Sequence, residues 1–307
     1  MDAAITVNAL SKRFGSVQAI DHLTFSVGPG EIFGLVGPDG AGKTTTMRML
    51  AGVLSSDEGA MTVAGHDVAA APELVKNNIG YMPQRFGLYE DLTVDENIAF
   101  YADIFGVRRR ERDTRSAVLL KAAGIAEFRD RLAGNLSGGM KQKLGLICAL
   151  IHRPRVLLLD EPTTGVDPVS RRDFWQILYS LLAEGVTIVI STAYLDEAER
   201  CSRLAMLHKG RLLLCDTPEN LKRRMPGAIV IIDSPEAREA CDRLSSAPGV
   251  QSVLLVGAGV HLVVDDGARR LPELRRILEE GGIPFEQIAV SEPAMEDLFV
   301  AYVQAGQ

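Results

Sequence analysis

The segment GPDGAGKTT, residues 37 to 45, combines the residue types and the spacing of a phosphate-binding loop. Its three glycines allow backbone amides to curl around phosphate oxygens, and the helix that follows adds its positive end. The amino group of Lys43 can reach the β- and γ-phosphates, and the hydroxyl of Thr44 can ligate Mg²⁺. Because an apolar EIFGLV precedes the loop and a helical TTTMRMLAGV follows it, the context is the one that this motif needs.

Two carboxylates end a second apolar segment, VLLLDEP. Residues 156 to 159 read as a buried strand, and Asp160 at its end is positioned to hold Mg²⁺. Glu161 follows, where a carboxylate can orient or polarise an attacking water. The alternative for this pair is a helix-capping acid near a turn. With the phosphate loop upstream, hydrolysis of a nucleotide phosphate is the favoured reaction.

Two further segments carry polar residues at the ends of predicted elements. LSGGMKQKLGL, at 136 to 146, places a serine and two glycines at the start of a long helix, which is a second potential anion site. YMPQRFGLYEDLTVDEN carries Gln84 at the end of a strand.

Together with GVDP at 165 to 168, these segments resemble those of the nucleotide-binding subunit of an ATP-binding cassette (ABC) transporter. The resemblance covers about residues 4 to 220, with the motifs in the order and spacing of the family. GPDGAGKTT, GYMPQRFGLYEDLTV and STAYLDEAE are similar to the first cassette of tandem, two-cassette ATPases of bacterial export systems.

The resemblance implies roles for individual residues. Phe14 would stack on adenine, with a core phenylalanine as the alternative. Gln84 would sense Mg²⁺ and link to the membrane subunit. Asp160 and Glu161 would be the Walker B aspartate and the catalytic glutamate, and Asp167 would belong to a loop that crosses a dimer interface. The implied magnesium ligands are Thr44, Gln84 and Asp160. The phosphate-binding loop would be the Walker A loop of the family, and its implied ATP contacts are Gly37, Pro38, Asp39, Gly40, Ala41, Gly42, Lys43, Thr44 and Thr45. The family signature would be formed by Ser137, Gly138 and Gly139, which would contact the ATP held by the opposite subunit.

Ala193 departs from the family pattern, in which the residue after S-T at this strand end is a histidine that contacts the γ-phosphate. An alanine side chain offers no hydrogen bond, so ATP binding should survive while hydrolysis slows. Loss of one donor to transition-state charge commonly costs about 10²–10³ in rate. We therefore expect pairing with a different cassette subunit, whose site the signature would complete. A homodimer in which a neighbouring residue or water replaces the histidine is the alternative.

Composition narrows the class of protein. The chain has 307 residues and a formal net charge of −7, and a general nucleic-acid binder is expected to be basic instead. Its four cysteines show no short pairing, as expected of reduced thiols in the cytosol. No apolar run approaches the ~20 residues of a membrane span, and the start of the chain does not resemble a signal peptide. The mixed-sign run RRRERDTR predicts a solvated helix face.

Apolar strands alternate with helices over the first 225 residues, which predicts a largely parallel sheet covered on both faces. Residues from about 86 to 152 read as a helical subdomain. The pattern restarts near Met225, and 226–307 reads as β-α-β-β-α-β, typical of a small ferredoxin-like α+β domain. The fold class is therefore α/β, a P-loop nucleotidase sheet with a helical subdomain, followed by a C-terminal domain for dimerisation or regulation.

The function implied is an ATP-hydrolysing subunit, with ATP and Mg²⁺, that powers a multisubunit exporter of drugs or hydrophobic compounds. Its partners would be permease subunits and a second nucleotide-binding subunit, and it would lie peripherally on the cytoplasmic face of the inner (plasma) membrane. Two alternatives stay open: an ATP-dependent dimerisation module without useful turnover, and a non-transport cassette ATPase that acts on ribosomes or DNA.

Overall fold

The chain forms two compact units in a computed structural model that describes residues 3–85, 87–257 and 259–305. The first unit ends at Cys215 and the second begins at Asp216. The division therefore falls earlier than the boundary near 225 that the sequence predicts, because the segment from 216 to 225 packs with the second unit.

The first unit contains ten strands and seven α-helices among its described residues. The strands are β1 (Ile5–Phe14), β2 (Val17–Val27), β3 (Ile32–Val36), β4 (Glu58–Val63), β5 (His66–Asp67), β6 (Ile79–Met82), β7 (Val156–Asp160), β8 (Thr187–Thr192), β9 (Arg203–His208) and β10 (Arg211–Asp216). The helices are α1 (Lys43–Leu50), α2 (Pro72–Asn78), α3 (Val94–Ile104), α4 (Arg109–Ala122), α5 (Gly138–Leu150), α6 (Pro168–Ala183) and α7 (Leu195–Ala198).

A six-stranded sheet in the order β10-β9-β3-β8-β7-β6 forms the centre of this unit. From β9 to β6 neighbouring strands are parallel, as predicted. Successive side chains of a strand point to opposite faces, so Leu158 enters one core cluster with α1, and Leu157 enters another with Phe174 and Trp175 of α6. Both faces are covered, and the carboxyl ends of the strands meet at one edge.

A separate antiparallel sheet, in the order β2-β1-β4-β5, packs on the first of these clusters. Phe25 of this sheet stacks on Phe33 of the parallel sheet, with ring centroids 5.3 Å apart. The sequence indicated the strands but not their separation into two sheets, because pairing depends on partners distant in the chain.

Helices α3, α4 and α5 occupy most of the stretch predicted to be helical and share a core that includes Ile98, Leu120 and Leu144. Helix α3 begins with a capping box, in which Thr93 and Glu96 each accept a hydrogen bond from the other's amide. Among the described residues, every helix falls short of the length or apolar character needed to cross a bilayer.

The second unit is built on one four-stranded antiparallel sheet, in the order β12-β13-β11-β14. Its element order contains β-α-β-β-α-β, and the ferredoxin-like assignment stays a prediction. The elements are α8 (Pro218–Arg223), β11 (Ala228–Asp233), α9 (Ala237–Leu244), β12 (Val250–Val256), β13 (Gly259–Val264), α10 (Gly267–Glu280), β14 (Gln287–Ser291) and α11 (Met295–Ala305).

Candidate functional site

The phosphate-binding loop connects the end of β3 to the start of α1 at the carboxyl edge of the parallel sheet. Gly40 and Gly42 have φ values of +77° and +102°, in the left-handed region that favours glycine. A Cβ at Gly42 would lie 2.8 Å from the carbonyl oxygen of Ala19, and one at Gly37 would collide with the carbonyl oxygen of Leu207. The loop path therefore requires glycine at these positions.

Lys43 lies inside the loop, and 4% of its side chain is exposed. Its Nζ donates to the carbonyl oxygens of Gly37 at 2.8 Å and Pro38 at 3.1 Å. The same Nζ lies 3.0 Å from Glu161 Oε1. A buried ammonium group is costly unless it is paired and hydrogen-bonded, so these contacts hold the cation against the loop and against the carboxylate of Glu161, the residue that follows β7.

Asp160 ends β7 with its side chain buried. Its Oδ1 accepts hydrogen bonds from Ser191 Oγ at 2.6 Å and Thr44 Oγ1 at 3.1 Å. Its Oδ2 is also buried and accepts no hydrogen bond from the described residues. Burial raises the pKa of Asp160 and the nearby charge of Glu161 adds to this, whereas the bonds from Ser191 and Thr44 oppose it.

These oxygens fit a magnesium ion. A buried carboxylate oxygen without a partner is costly, and Mg²⁺ takes carboxylate and hydroxyl oxygens together with phosphates and water. Within the described residues, no group of three or more His, Cys, Asp and Glu side chains could hold a metal by itself. Thr44 and Asp160 would therefore share the ion with the nucleotide.

Glu161 has an unusual backbone, with φ at +49°. Its amide donates to Ser191 Oγ at 2.9 Å, and its side-chain Oε2 accepts from Gln84 Nε2 at 2.9 Å. With Oε1 beside Lys43, both carboxylate oxygens have partners from other elements. A left-handed non-glycine residue costs about 1–3 kcal/mol, so such strain persists only where surrounding contacts enforce it.

One cavity of about 640 Å³ is lined by Phe14, the phosphate-binding loop, Gln84 and Glu161. Phe14 is 49% exposed, which does not fit the alternative of a core phenylalanine. Four further lining residues were not predicted: Val17, Gln18, Ala19 and Lys209. They precede β3 or follow β9, and no motif marks them.

The signature residues and Asp167 lie outside this cavity. Ser137 is the N-cap of α5 and accepts from the amide of Met140 at 3.3 Å, and Gly138 begins the helix. Asp167 is the N-cap of α6, and the hydrogen bond from Ser170 lowers its pKa. A Cβ at Gly139 would lie 2.6 Å from the Ser170 side chain, so the two helix starts are in close contact.

Ala193 directly follows β8 and is exposed. Beside it, the hydroxyl of Thr192 donates to the fully buried Glu197 at 2.8 Å. Glu197 also accepts from Thr163 at 2.8 Å and from the indole of Trp175 at 3.2 Å. Sequence reasoning missed Ser191 and Glu197, although polar residues at the end of the apolar GVTIVI were a usable signal.

Comparison with known proteins places these features in a family. A family model described as "ABC transporter" matches residues 20–164. The chain is 45% identical over 303 residues to the "Probable multidrug ABC transporter ATP-binding protein YbhF" of Escherichia coli K12, covering 97% of this chain and 52% of that protein. The chain thus spans about half the length of this relative.

Two relatives match over nearly their whole length. The "Daunorubicin resistance ATP-binding protein DrrA2" of Streptomyces coeruleorubidus is 35% identical, covering 97% of this chain and 94% of that protein. The "Nod factor export ATP-binding protein I" of Burkholderia thailandensis is 36% identical, with coverages of 97% and 96%.

Solved structures agree in fold. An ATP-binding subunit of an ABC transporter superposes with a TM-score of 0.66 at 31% identity, covering 72% of this chain and 92% of that one. A dimeric ATP-binding cassette bound to ADP and Pi gives 0.64 at 23% identity, covering 69% and 98%. The predicted α/β phosphate-loop fold is confirmed.

Proposed function

The chain belongs to the ABC transporter family of ATP-binding proteins, and from this premise we propose that it binds and hydrolyses ATP with Mg²⁺ to power export through membrane-spanning permease subunits. One observation carries the proposal: Lys43, Gln84 and Glu161, which lie far apart in the chain, line one cavity and contact one another through Glu161. The unpartnered Asp160 Oδ2 beside Thr44 supports the magnesium requirement.

The reaction uses the contacts of these residues. The amides of the loop and Nζ of Lys43 bind the β- and γ-phosphates and neutralise charge as it moves toward the bridging oxygen. When bound, Mg²⁺ supplies further charge neutralisation on the phosphate oxygens. Glu161 orients the attacking water and accepts its proton, and Gln84 holds the carboxylate through Oε2. Phe14 stacks on the adenine at the open side of the cavity.

The site of this chain turns over slowly because Ala193 presents no hydrogen-bond donor to the γ-phosphate. Its signature, in which Ser137 and Gly138 are exposed, would complete the site of a second nucleotide-binding subunit, and Asp167 would lie at the same interface. A heterodimer with a fully equipped cassette is therefore favoured over a homodimer. The chain would lie peripherally at the cytoplasmic face of the membrane, held there by the permease.

The transported compound is a drug or another hydrophobic molecule. This substrate class is supported by the relatives, whose names refer to multidrug transport, daunorubicin resistance and Nod factor export. The net charge of −7 favours this reading over a cassette ATPase that acts on nucleic acid.

The test is ATP binding and steady-state hydrolysis by the purified chain and its Glu161→Gln variant. Both proteins should bind ATP, and only the wild type should hydrolyse it. Glu127→Gln, an exposed change outside the cavity, is the control and should behave as the wild type. Absence of ATP binding would overturn the proposal. Binding without turnover that depends on Glu161 would support the second candidate, an ATP-dependent dimerisation module, which Ala193 favours.

A further inference from the structure

A groove between helices α4 and α6 lies outside the nucleotide cavity. Its wider part, about 740 Å³, lies at the start of α4 and beside the loop before β7. A second cavity of about 470 Å³ runs along α4 and α6 with α5 as its floor. Val118, Leu119 and Leu181 line both cavities, so the two adjoin. Each volume falls within the ~300–1,000 Å³ of small-molecule sites. We call this the α4–α6 groove.

The wider part of the α4–α6 groove is basic. Two glutamates, Glu111 and Glu184, also line it, and Glu111 lies 3.6 Å from one of the arginines, Arg153. Positive charge exceeds negative charge there, because the wider part is lined by four arginines: Arg108, Arg110, Arg115 and Arg153.

Arg115 departs from the solvated face predicted for the run RRRERDTR. Its Nε is buried and has no hydrogen-bond acceptor in the part of the chain that the structure describes. Burial lowers the pKa of Arg115 to about 10 and the positive charge of Arg153 adds to this, whereas the charges of Glu111 and Glu184 oppose it. The guanidinium stays charged at neutral pH, and an unpaired buried donor is costly. Arg115 lines the groove, so an anion bound there would offset the cost of burying its charge.

The second cavity combines an apolar surface with polar residues at its edge: Lys143 and Asp173, which form an ion pair, and Gln176, Ser180 and Glu184. Val118 is 64% exposed on one wall, and Ile177 and Leu181 of α6 form the opposite wall. The floor is formed by buried residues of α5: Leu146, Ile147 and Leu150. A hydrated ion alone would leave this surface in contact with water, whereas a hydrocarbon chain would cover it.

We propose that the α4–α6 groove binds a long-chain carboxylate, with its head group on Arg115 and Arg153 and its chain along Val118, Ile177 and Leu181. Charge and shape complementarity select this ligand. Its anionic end matches the basic part of the groove, and its hydrocarbon chain matches the apolar surface of the other part. The site is separate from the nucleotide cavity, so the proposal does not depend on ATP hydrolysis.

Calorimetric titration of the full chain with sodium dodecanoate, below its micelle concentration and without nucleotide, tests this proposal. We expect saturable binding at one site. Dodecanol has the chain without the charge and inorganic phosphate has charge without the chain, so each should bind at least about tenfold more weakly. Arg115→Gln should weaken dodecanoate binding about tenfold, through loss of a charge-assisted hydrogen bond.

Val118→Asp tests the apolar wall at an exposed position, where a fold defect is not expected, and should also weaken binding about tenfold or more. Arg243→Gln, an exposed arginine of the second unit, is the matched control and should bind as the wild type. The proposal is overturned by absent saturable binding, by equal affinity for dodecanol and dodecanoate, or by unchanged affinity in both Arg115→Gln and Val118→Asp.

Discussion

Ser191 Oγ donates a 2.6 Å hydrogen bond to Asp160 Oδ1, across two neighbouring parallel strands in which these residues are register partners. The same hydroxyl accepts from the amide of Glu161 at 2.9 Å. One buried serine thus holds the carboxylate of Asp160 and the backbone of Glu161, and Asp160 Oδ2 stays without a partner among the described residues, free for the proposed magnesium ion.

Ser191→Ala should raise the Mg²⁺ concentration for half-maximal ATP turnover by about tenfold or more, since groups that orient metal ligands commonly contribute 10–100-fold. Stability should fall by about 1–3 kcal/mol, measured from urea unfolding. Thr187→Ala is the control, because it removes a buried hydroxyl at the other end of β8, one that accepts from the amide of Gly30. It should cost similar stability with an unchanged Mg²⁺ requirement, and an equal shift in both variants would contradict the assignment.

Ala193→His should raise steady-state ATP turnover by about 10²–10³, because it restores a donor to the γ-phosphate in the transition state. Ala193→Leu adds bulk without a donor and should leave turnover low. A wild-type rate that already equals that of the histidine variant would mean that another group replaces the histidine, and would remove the main support for a heterodimer.

Gln84→Leu should lower kcat about tenfold, since it removes the hydrogen bond that holds Glu161 Oε2. If Gln84 also ligates magnesium, the Mg²⁺ requirement should rise in the same variant. Gln251→Leu, at an exposed position of β12, should change neither value. An unchanged kcat at saturating Mg²⁺ and ATP would show that Gln84 does not position the catalytic carboxylate.

Glu197→Ala should destabilise the first unit by about 3 kcal/mol or more, measured by urea unfolding. The change leaves three buried donors, on Thr163, Thr192 and Trp175, without their acceptor. Exposed Glu127→Ala is the comparison and should stay within about 0.5 kcal/mol of the wild type. A loss below about 1 kcal/mol for Glu197→Ala would mean that the three donors find other partners.

Stability should fall as the pH decreases through the range of an unperturbed histidine. His152 stacks on Phe105, and its Nε2–H donates to Ile79 O at 2.9 Å. Burial lowers its pKa from 6.5, with the charge of Arg115 in the same direction. Below about pH 6.5, His152 therefore takes up a proton in the unfolded chain but not in the folded chain. This difference lowers the free energy of unfolding by at most about 1.4 kcal/mol per pH unit.

The measurement for His152 compares urea unfolding of the wild type and His152→Gln. The difference between the two proteins should change between about pH 7.5 and pH 5.5 and stay constant between about pH 7.5 and pH 8.5. Parallel curves over the whole range would contradict a depressed pKa.

The sequence alone determined the features that depend on neighbours in the chain. The loop from Gly37 to Thr45 is contiguous, so its glycines, lysine and threonine predict its conformation and its ligand together. Apolar strands alternating with helices likewise predicted the parallel sheet, and Asp160 at a strand end predicted the edge at which the site lies.

Only the tertiary structure decided which distant residues meet. Ser191 reaches Asp160 across 31 positions and Gln84 reaches Glu161 across 77, and both contacts depend on the order β8-β7-β6 in the sheet. The antiparallel sheet and the α4–α6 groove likewise arise from packing between elements far apart in the chain. Local propensity contains no information on such pairings, because the free energy that selects them comes from burying apolar surface between whole elements.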